Sequence, residues 1–181
     1  MICFLSGGAK NGKSILAQDI AVKLANGGKR YYVATMIPVD SEDHDRIRRH
    51  ILDRDGMGFE TLECGRNILS CLSKVSPEST FLLDSVTALL MNELFPVEKN
   101  YEMDIQAADR CAAELMDFIS RVKNAVVVSD YIYSDAQRYD SITETYRKAL
   151  AAIDRKMAQI SDVVIEMSAG QILLHKGELP L

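Results

Sequence analysis

Hydrophobic and polar positions along this 181-residue chain keep changing period, and the changes mark alternating strands and helices. "MICFL" is a short apolar run ending in glycines, and "KSILAQDIAVKLA" after it carries Ile15, Ile20 and Leu24 at helical spacing. "RYYVAT" is β-branched and aromatic and predicts a second strand. "SEDHDRIRRHILDR" is nearly all charge, yet Ser41 as N-cap and the early acidic residues predict a helix. On that helix Ile47 and Ile51 share one side, and Arg46, His50 and Arg54 stack beside them as a basic stripe. His44 points elsewhere, as a surface residue poorly placed to share a metal with His50.

Further on, "FETLE" predicts a short strand, "TFLLD" a better one, and "SVTALLMNELF" a helix. A long helix is expected over "MDIQAADRCAAELMDFISRVK", with Ile105, Ala108, Leu115 and Ile119 facing inward. "AVVVSD" is the most apolar strand and suits the middle of a parallel sheet. A helix over "ITETYRKALAAIDRKMAQI" precedes the strand "DVVIEM", and "SAGQ" turns the chain into a last strand, "ILLHK". "PVEKNYE" is the expected mobile loop. Strands separated by helices imply right-handed crossovers. The predicted fold is α/β: a three-layer, P-loop NTPase-like domain over residues 1–181, its mostly parallel sheet covered on both faces, with an antiparallel C-terminal edge hairpin.

Composition narrows the class without naming a reaction. The chain is 48% hydrophobic and 26% charged, as an ordinary globular domain is. A net charge of −5 provides no general basic field for nucleic acid or an anionic membrane, so neither is an expected partner. No apolar run approaches the ~20 residues that cross a bilayer. Cys3, Cys64, Cys71 and Cys111 form no C-x-x-C pair, and no secretory leader precedes the first glycine pair. They are expected to be reduced thiols of a cytoplasmic protein.

The strongest motif is "GGAKNGKS", residues 7–14, between the first strand and the first helix. Gly7, Gly12, Lys13 and Ser14 satisfy G-x-x-x-x-G-K-[ST], with Gly8, Ala9, Lys10 and Asn11 between them. Glycines let the backbone wrap a phosphate with its N–H groups inward, and the helix N-terminus adds a favourable dipole. Lys13 would reach the β- and γ-phosphates, and the Ser14 hydroxyl would ligate Mg²⁺. The chain therefore reads as a nucleoside-triphosphate protein using ATP or GTP. Asp84, ending "FLLD", is the favoured second Mg²⁺ group, through water. Its competing role is helix N-cap, and Asp130, ending "VVVSD", is a rival for the metal.

Four pieces taken together resemble the adenosylcobinamide kinase/adenosylcobinamide-phosphate guanylyltransferase family of cobalamin assembly. They are "SGGAKNGKS", "YYVAT", "DRIRRHILDR…FETLE" and "FLLDSVTALLMNELF", in the family's order and spacing. The resemblance implies that ATP or GTP phosphorylates adenosylcobinamide. A histidine is then guanylylated by GTP with loss of pyrophosphate, and GMP passes to adenosylcobinamide phosphate. By match to R-I-x-x-H that histidine is His50, with Lys13 as its catalytic partner in the phosphate loop. The resemblance also sets Ala34, Thr35, Met36, Ile51, Leu52, Asp53, Arg54, Glu63 and Asp84 around the nucleotide, and it implies a homo-oligomer, a trimer. Arg46, Arg49 and Arg54 would then form a phosphate-facing wall.

The second half departs from the family's pattern. Where the family reads T-N-E-V-G-x-G-I-V-P, this chain has "SDYIYSDAQR", with Asp130 at the asparagine and Tyr131 at the glutamate. Two other readings stay open on sequence: a P-loop kinase of another small alcohol, and a nucleotide-binding accessory protein without catalysis.

Overall fold

The predicted alternation resolves into one sheet of seven strands, seen in a computed structural model that describes residues 1–181. Strands β1 (Ile2–Gly7), β2 (Arg30–Ala34), β3 (Phe59–Glu63), β4 (Thr80–Asp84), β5 (Asn124–Asp130) and β6 (Val163–Ser168) all run parallel. Strand β7 (Gln171–Lys176) returns antiparallel on β6, and the order across the sheet is β3-β2-β4-β5-β1-β6-β7. The helices are α1 (Lys13–Ala25), α2 (Ser41–Asp53), α3 (Val86–Leu94), α4 (Ala107–Arg121) and α5 (Ser141–Ile160).

Strand alternation divides the interior into two cores. On β5, Ala125 and Val127 join a large core under α3, α4 and α5, while Val126 and Val128 join a smaller one under α1. The central strand is therefore apolar on both faces, as "AVVVSD" suggested. The three-layer architecture and the antiparallel closing hairpin match expectation.

Some local expectations change. Ile15 is 58% exposed, because α1 turns Leu16, Ala17 and Ile20 to the sheet instead. Ile105 is exposed as well, since α4 starts only at Ala107, after a turn in which the Asp104 carboxylate accepts from the Gln106 N–H. Leu115 and Ile119 are buried as expected. The segment 96–102 contains a 3-10 turn over Val97–Lys99, and Lys99 pairs with Asp104 at 2.9 Å. The N-cap of α2 is Asp40 rather than Ser41, its Oδ1 accepting from the Asp43 N–H at 2.9 Å. Helix α2 buries no residue in either core.

The large core holds one carboxylate. Asp154 on α5 is 3% exposed; its Oδ2 accepts from the Ser129 and Tyr133 hydroxyls at 3.0 and 2.9 Å, and its Oδ1 has no partner. Burial raises its carboxyl from 3.8 to about 6. The folded chain thus holds this proton more tightly than the unfolded chain does. Stability is highest below the unfolded value and falls as pH rises toward about 6, after which the cost is constant. Asp154→Asn keeps an acceptor for both hydroxyls without the charge. It should raise stability above that window by about 1–3 kcal/mol and leave it unchanged in acid, read from urea midpoints across pH. An equal shift at every pH would show that charge is not the cause.

Candidate functional site

Parallel strands end on one rim, and Glu63, Ala34, Asp84, Asp130 and Gly7 stand there in sheet order, closing β3, β2, β4, β5 and β1. Open parallel sheets bind ligands along this edge. The predicted residues divide between two adjoining parts of it.

The first part is the loop from Gly7 to Ser14. At Gly7 an added Cβ would come within 2.4 Å of the Met167 carbonyl oxygen, and Gly12 has φ +83°, so neither tolerates a larger residue without strain. The Asn11 amide donates to the same Met167 oxygen at 3.3 Å and ties the loop to β6. Lys13 is 5% exposed. Its ammonium donates to the Gly8 carbonyl at 2.7 Å and pairs with the Asp130 carboxylate at 2.7 Å. Ser14 lies half-buried on the same first turn, and Ala9 and Lys10 are exposed at the loop's tip. Asp130 is held by its own backbone, whose N–H donates to Thr87 Oγ1 at 2.8 Å. The two strand-end aspartates thus have different partners: Asp130 pairs with the lysine of the phosphate loop, and Asp84 accepts from the Tyr32 hydroxyl. Asp84 is not the N-cap of α3, because Ser85 takes that place.

The second part is a cleft of about 440 Å³ over the ends of β3, β2 and β4, with α2 as its outer wall. Its lining includes Tyr32 and Ala34 from β2 with Met36 just beyond it, Glu63 at the end of β3 with Cys64 and Gly65 after it, Asp84 at the end of β4, the α3 N-cap Ser85, and Ala88 on α3. Thr35 does not line it. Its hydroxyl donates to the Ser85 carbonyl and accepts from the Ser85 N–H, at 2.8 and 2.7 Å, and so locks β2 to β4 beneath the cleft.

Helix α2 presents His44, Ile47 and Ile51, together with Arg46, His50 and Arg54, to the cleft. His44 is thus a cleft residue, not one that points elsewhere, because the two stripes of the helix are neighbours and both face inward. Leu52 and Asp53 face solvent and do not line the cleft. Nor does Arg49, whose guanidinium donates to the Asp45 carbonyl at 3.4 Å. Of the arginines expected as a phosphate wall, only Arg46 keeps a free guanidinium toward the cleft.

Arg54 has a different job. It is 8% exposed, donates to the His50 carbonyl at 2.6 Å and to the Thr61 hydroxyl at 2.9 Å, and lies 4.1 Å over the Tyr32 ring. Beneath it the Tyr32 hydroxyl donates to Asp84 Oδ2 at 2.9 Å, and burial together with Asp84 raises that phenol's pKa. His50 Nδ1 is buried without a hydrogen-bond partner, 4.0 Å from the same Asp84 oxygen. Cys64 lines the cleft as well, its buried thiol donating to the Arg66 carbonyl at 3.5 Å and lying 3.6 Å from the Ser70 hydroxyl. No three His, Cys, Asp or Glu side chains gather as a metal cluster.

Sequence reasoning missed Tyr32, Thr61 and Cys64. Strand alternation carried a signal for one of them, since Tyr32 must share a face with Ala34.

The family model described as cobinamide kinase / cobinamide phosphate guanyltransferase matches residues 3–174, including the divergent second half. No curated protein matches the chain in sequence. Among solved structures, the flagellar accessory protein FlaH from Methanocaldococcus jannaschii superposes with a TM-score of 0.53 at 14% identity, covering 99% of this chain and 79% of that one. A KaiC-like protein from Pyrococcus horikoshii gives 0.51 at 12% identity, over 98% of this chain and 79% of its own. Both share the P-loop ATPase-like fold and nothing finer.

Arg54→Ala should release the C-terminal end of α2. Amide exchange across Ser41–Asp53 should accelerate, and stability should fall by about 2 kcal/mol. Unchanged exchange would mean that Arg54 is not the anchor.

Proposed function

The chain belongs to the cobinamide kinase/cobinamide phosphate guanyltransferase family of cobalamin biosynthesis, and from that membership we propose that it passes GMP from GTP to adenosylcobinamide phosphate through His50. In the same reading it first phosphorylates adenosylcobinamide with ATP or GTP. One observation carries this: the half-buried His50 imidazole faces a nucleoside-sized cleft on the same strand rim as the phosphate loop.

Adjacent strands stand ~4.8 Å apart, so β1 and β4, with β5 between them, are about 10 Å apart. A triphosphate on the loop therefore reaches toward the cleft with its α-phosphate. His50 attacks that phosphorus, the bond to the bridging oxygen breaks, and pyrophosphate leaves while still held by Lys13 and the loop amides. The acceptor's phosphate oxygen then attacks the same phosphorus and frees His50. In the kinase step the loop holds the transferred γ-phosphate instead, and an alcohol of the acceptor attacks it. That step needs positioning and charge stabilisation above all.

Mg²⁺ would supply charge neutralisation between phosphate oxygens. Ser14 and Asp130 would hold it, since Asp130 already faces Lys13 whereas Asp84 serves Tyr32. Lys13 must exchange Asp130 for phosphate when a nucleotide binds. Its ammonium is buried and cannot stay unpaired.

The nucleoside's polar edges meet Glu63, whose carboxylate can accept from ribose hydroxyls or from guanine. Arg46 is the cation left free for the α-phosphate side of the cleft.

Incubation with α-labelled GTP should leave acid-labile label on the wild-type chain and on His44→Ala, and none on His50→Ala. Adenosylcobinamide phosphate should then discharge it. No retained label from α-labelled GTP would remove the guanylyltransferase reading. Phosphorylated cobinamide without that label would leave a kinase alone, and tight GTP binding with neither activity would leave a binding protein.

A further inference from the structure

His50 sits in a closed circuit of contacts. Its carbonyl accepts from Arg54, the Arg54 guanidinium caps the Tyr32 ring, and the Tyr32 hydroxyl donates to Asp84 Oδ2. That oxygen is the polar atom facing His50 Nδ1, across 4.0 Å. Three side chains thus lead from the backbone of one residue back to its own imidazole.

Two features make this more than proximity. Nδ1 is buried without a partner, and a buried polar nitrogen left so costs free energy until it finds one. The gap is too long for a hydrogen bond, yet the His50 ring is not enclosed in either core, so rotation of its side chain about a backbone held by Arg54 can close it. Contacts of this kind commonly tighten when ligand binds. Tyr32 leaves Asp84 one direction to serve: its hydroxyl, fixed beneath Arg54, occupies one side of Oδ2, and the cleft side faces His50.

We propose that Asp84 is the positioning residue of His50: it holds the imidazole proton on Nδ1 and so makes Nε2 the nitrogen that takes the nucleotide. The proposal rests on the reading of His50 as nucleophile. In the step, the Nε2 lone pair forms the bond to the α-phosphorus and the bond from that phosphorus to the departing pyrophosphate oxygen breaks. The Nδ1 proton stays where it is. The ring becomes cationic, and the Asp84 carboxylate offsets that charge without taking the proton. When the acceptor's phosphate removes GMP, the ring returns to its neutral Nδ1–H form. Tyr32 acts one contact further out, holding the carboxylate at the angle the ring requires.

The role separates Asp84 from the metal assignment that its strand-end position suggested. It also gives Arg54 a place in the reaction, as the group that ties the helix backbone at His50 to the platform under Asp84. Glu63, the remaining carboxylate of the cleft, ends the outermost strand β3, with β2 between it and Asp84.

Nitrogen-15 spectra of the neutral His50 ring in the full-length protein test this directly, without nucleotide. The wild type should show the Nδ1–H form, and Asp84→Asn should shift the ring toward Nε2–H, because the amide can offer an N–H to Nδ1. The rate of label transfer from α-labelled GTP should fall by roughly a hundredfold or more in Asp84→Asn, and several-fold in Tyr32→Phe. A wild-type ring in the Nε2–H form, or a tautomer unchanged by Asp84→Asn, overturns the proposal. So does a transfer rate unchanged by Asp84→Asn. If the wild type takes no label at all, the guanylyltransferase reading falls, while the tautomer still decides what Asp84 does to His50. Far-ultraviolet circular dichroism confirms that each variant is folded before either reading is taken.

Discussion

The parallel pairing of β1, β5, β4 and β2 is the constraint on which the rest depends. Parallel strands must be joined by crossovers, and every crossover returns the chain to the same end of the sheet. All their C-terminal ends therefore lie on one rim, where backbone groups leave the ladder and are free for ligands. Gly7, Asp130, Asp84 and Ala34 owe their neighbourhood to this and to nothing nearer in sequence. Register refines it: Asp84 pairs with Val128, so Asp130 projects two residues further along β5 and reaches Lys13.

Two buried cations show how the rim is held before any ligand arrives. Lys13 and Arg54 are both nearly inaccessible, and each finds carboxylate, carbonyl or hydroxyl partners at 2.6 to 2.9 Å. A buried charge without such partners would cost several kcal/mol. They differ in what can replace those partners. Asp130 is a single carboxylate, a partner that an incoming anion can displace. Arg54 is divided among a carbonyl, a hydroxyl and an aromatic face, so it behaves as a fixed hinge pin for α2.

The divergent segment after β5 keeps order by another device. Arg147 on α5 is 7% exposed and gathers the Ile132, Asp135 and Gln137 carbonyls together with the Asp135 and Glu144 carboxylates. A guanidinium has five donors in a fixed fork, which lets one side chain shape a whole loop. The family match covers this segment and extends to residue 174.

Much of this protein was legible in its residues. The phosphate loop, the order of strands and helices, the closing hairpin and His50 on a basic stripe all follow from local periodicity and short spacing. Two details at helix starts differ, the cap of α2, which is Asp40 rather than Ser41, and the start of α4, which is Ala107 rather than Met103, and at both a nearby carboxylate, Asp40 or Asp104, takes a backbone donor. Which carboxylate serves which cation was not legible. Asp84 and Asp130 look alike in sequence, each closing an apolar strand, and only strand order and register send one to Lys13 and the other to Tyr32 and His50. In the same way, four-residue spacing puts Arg54 on the face of His50, while the approach of β2 and β3 to that face brings Tyr32 and Thr61 to its charge. Local spacing sets which face of an element a side chain occupies; the partner opposite that face is chosen by contacts between segments far apart in the chain.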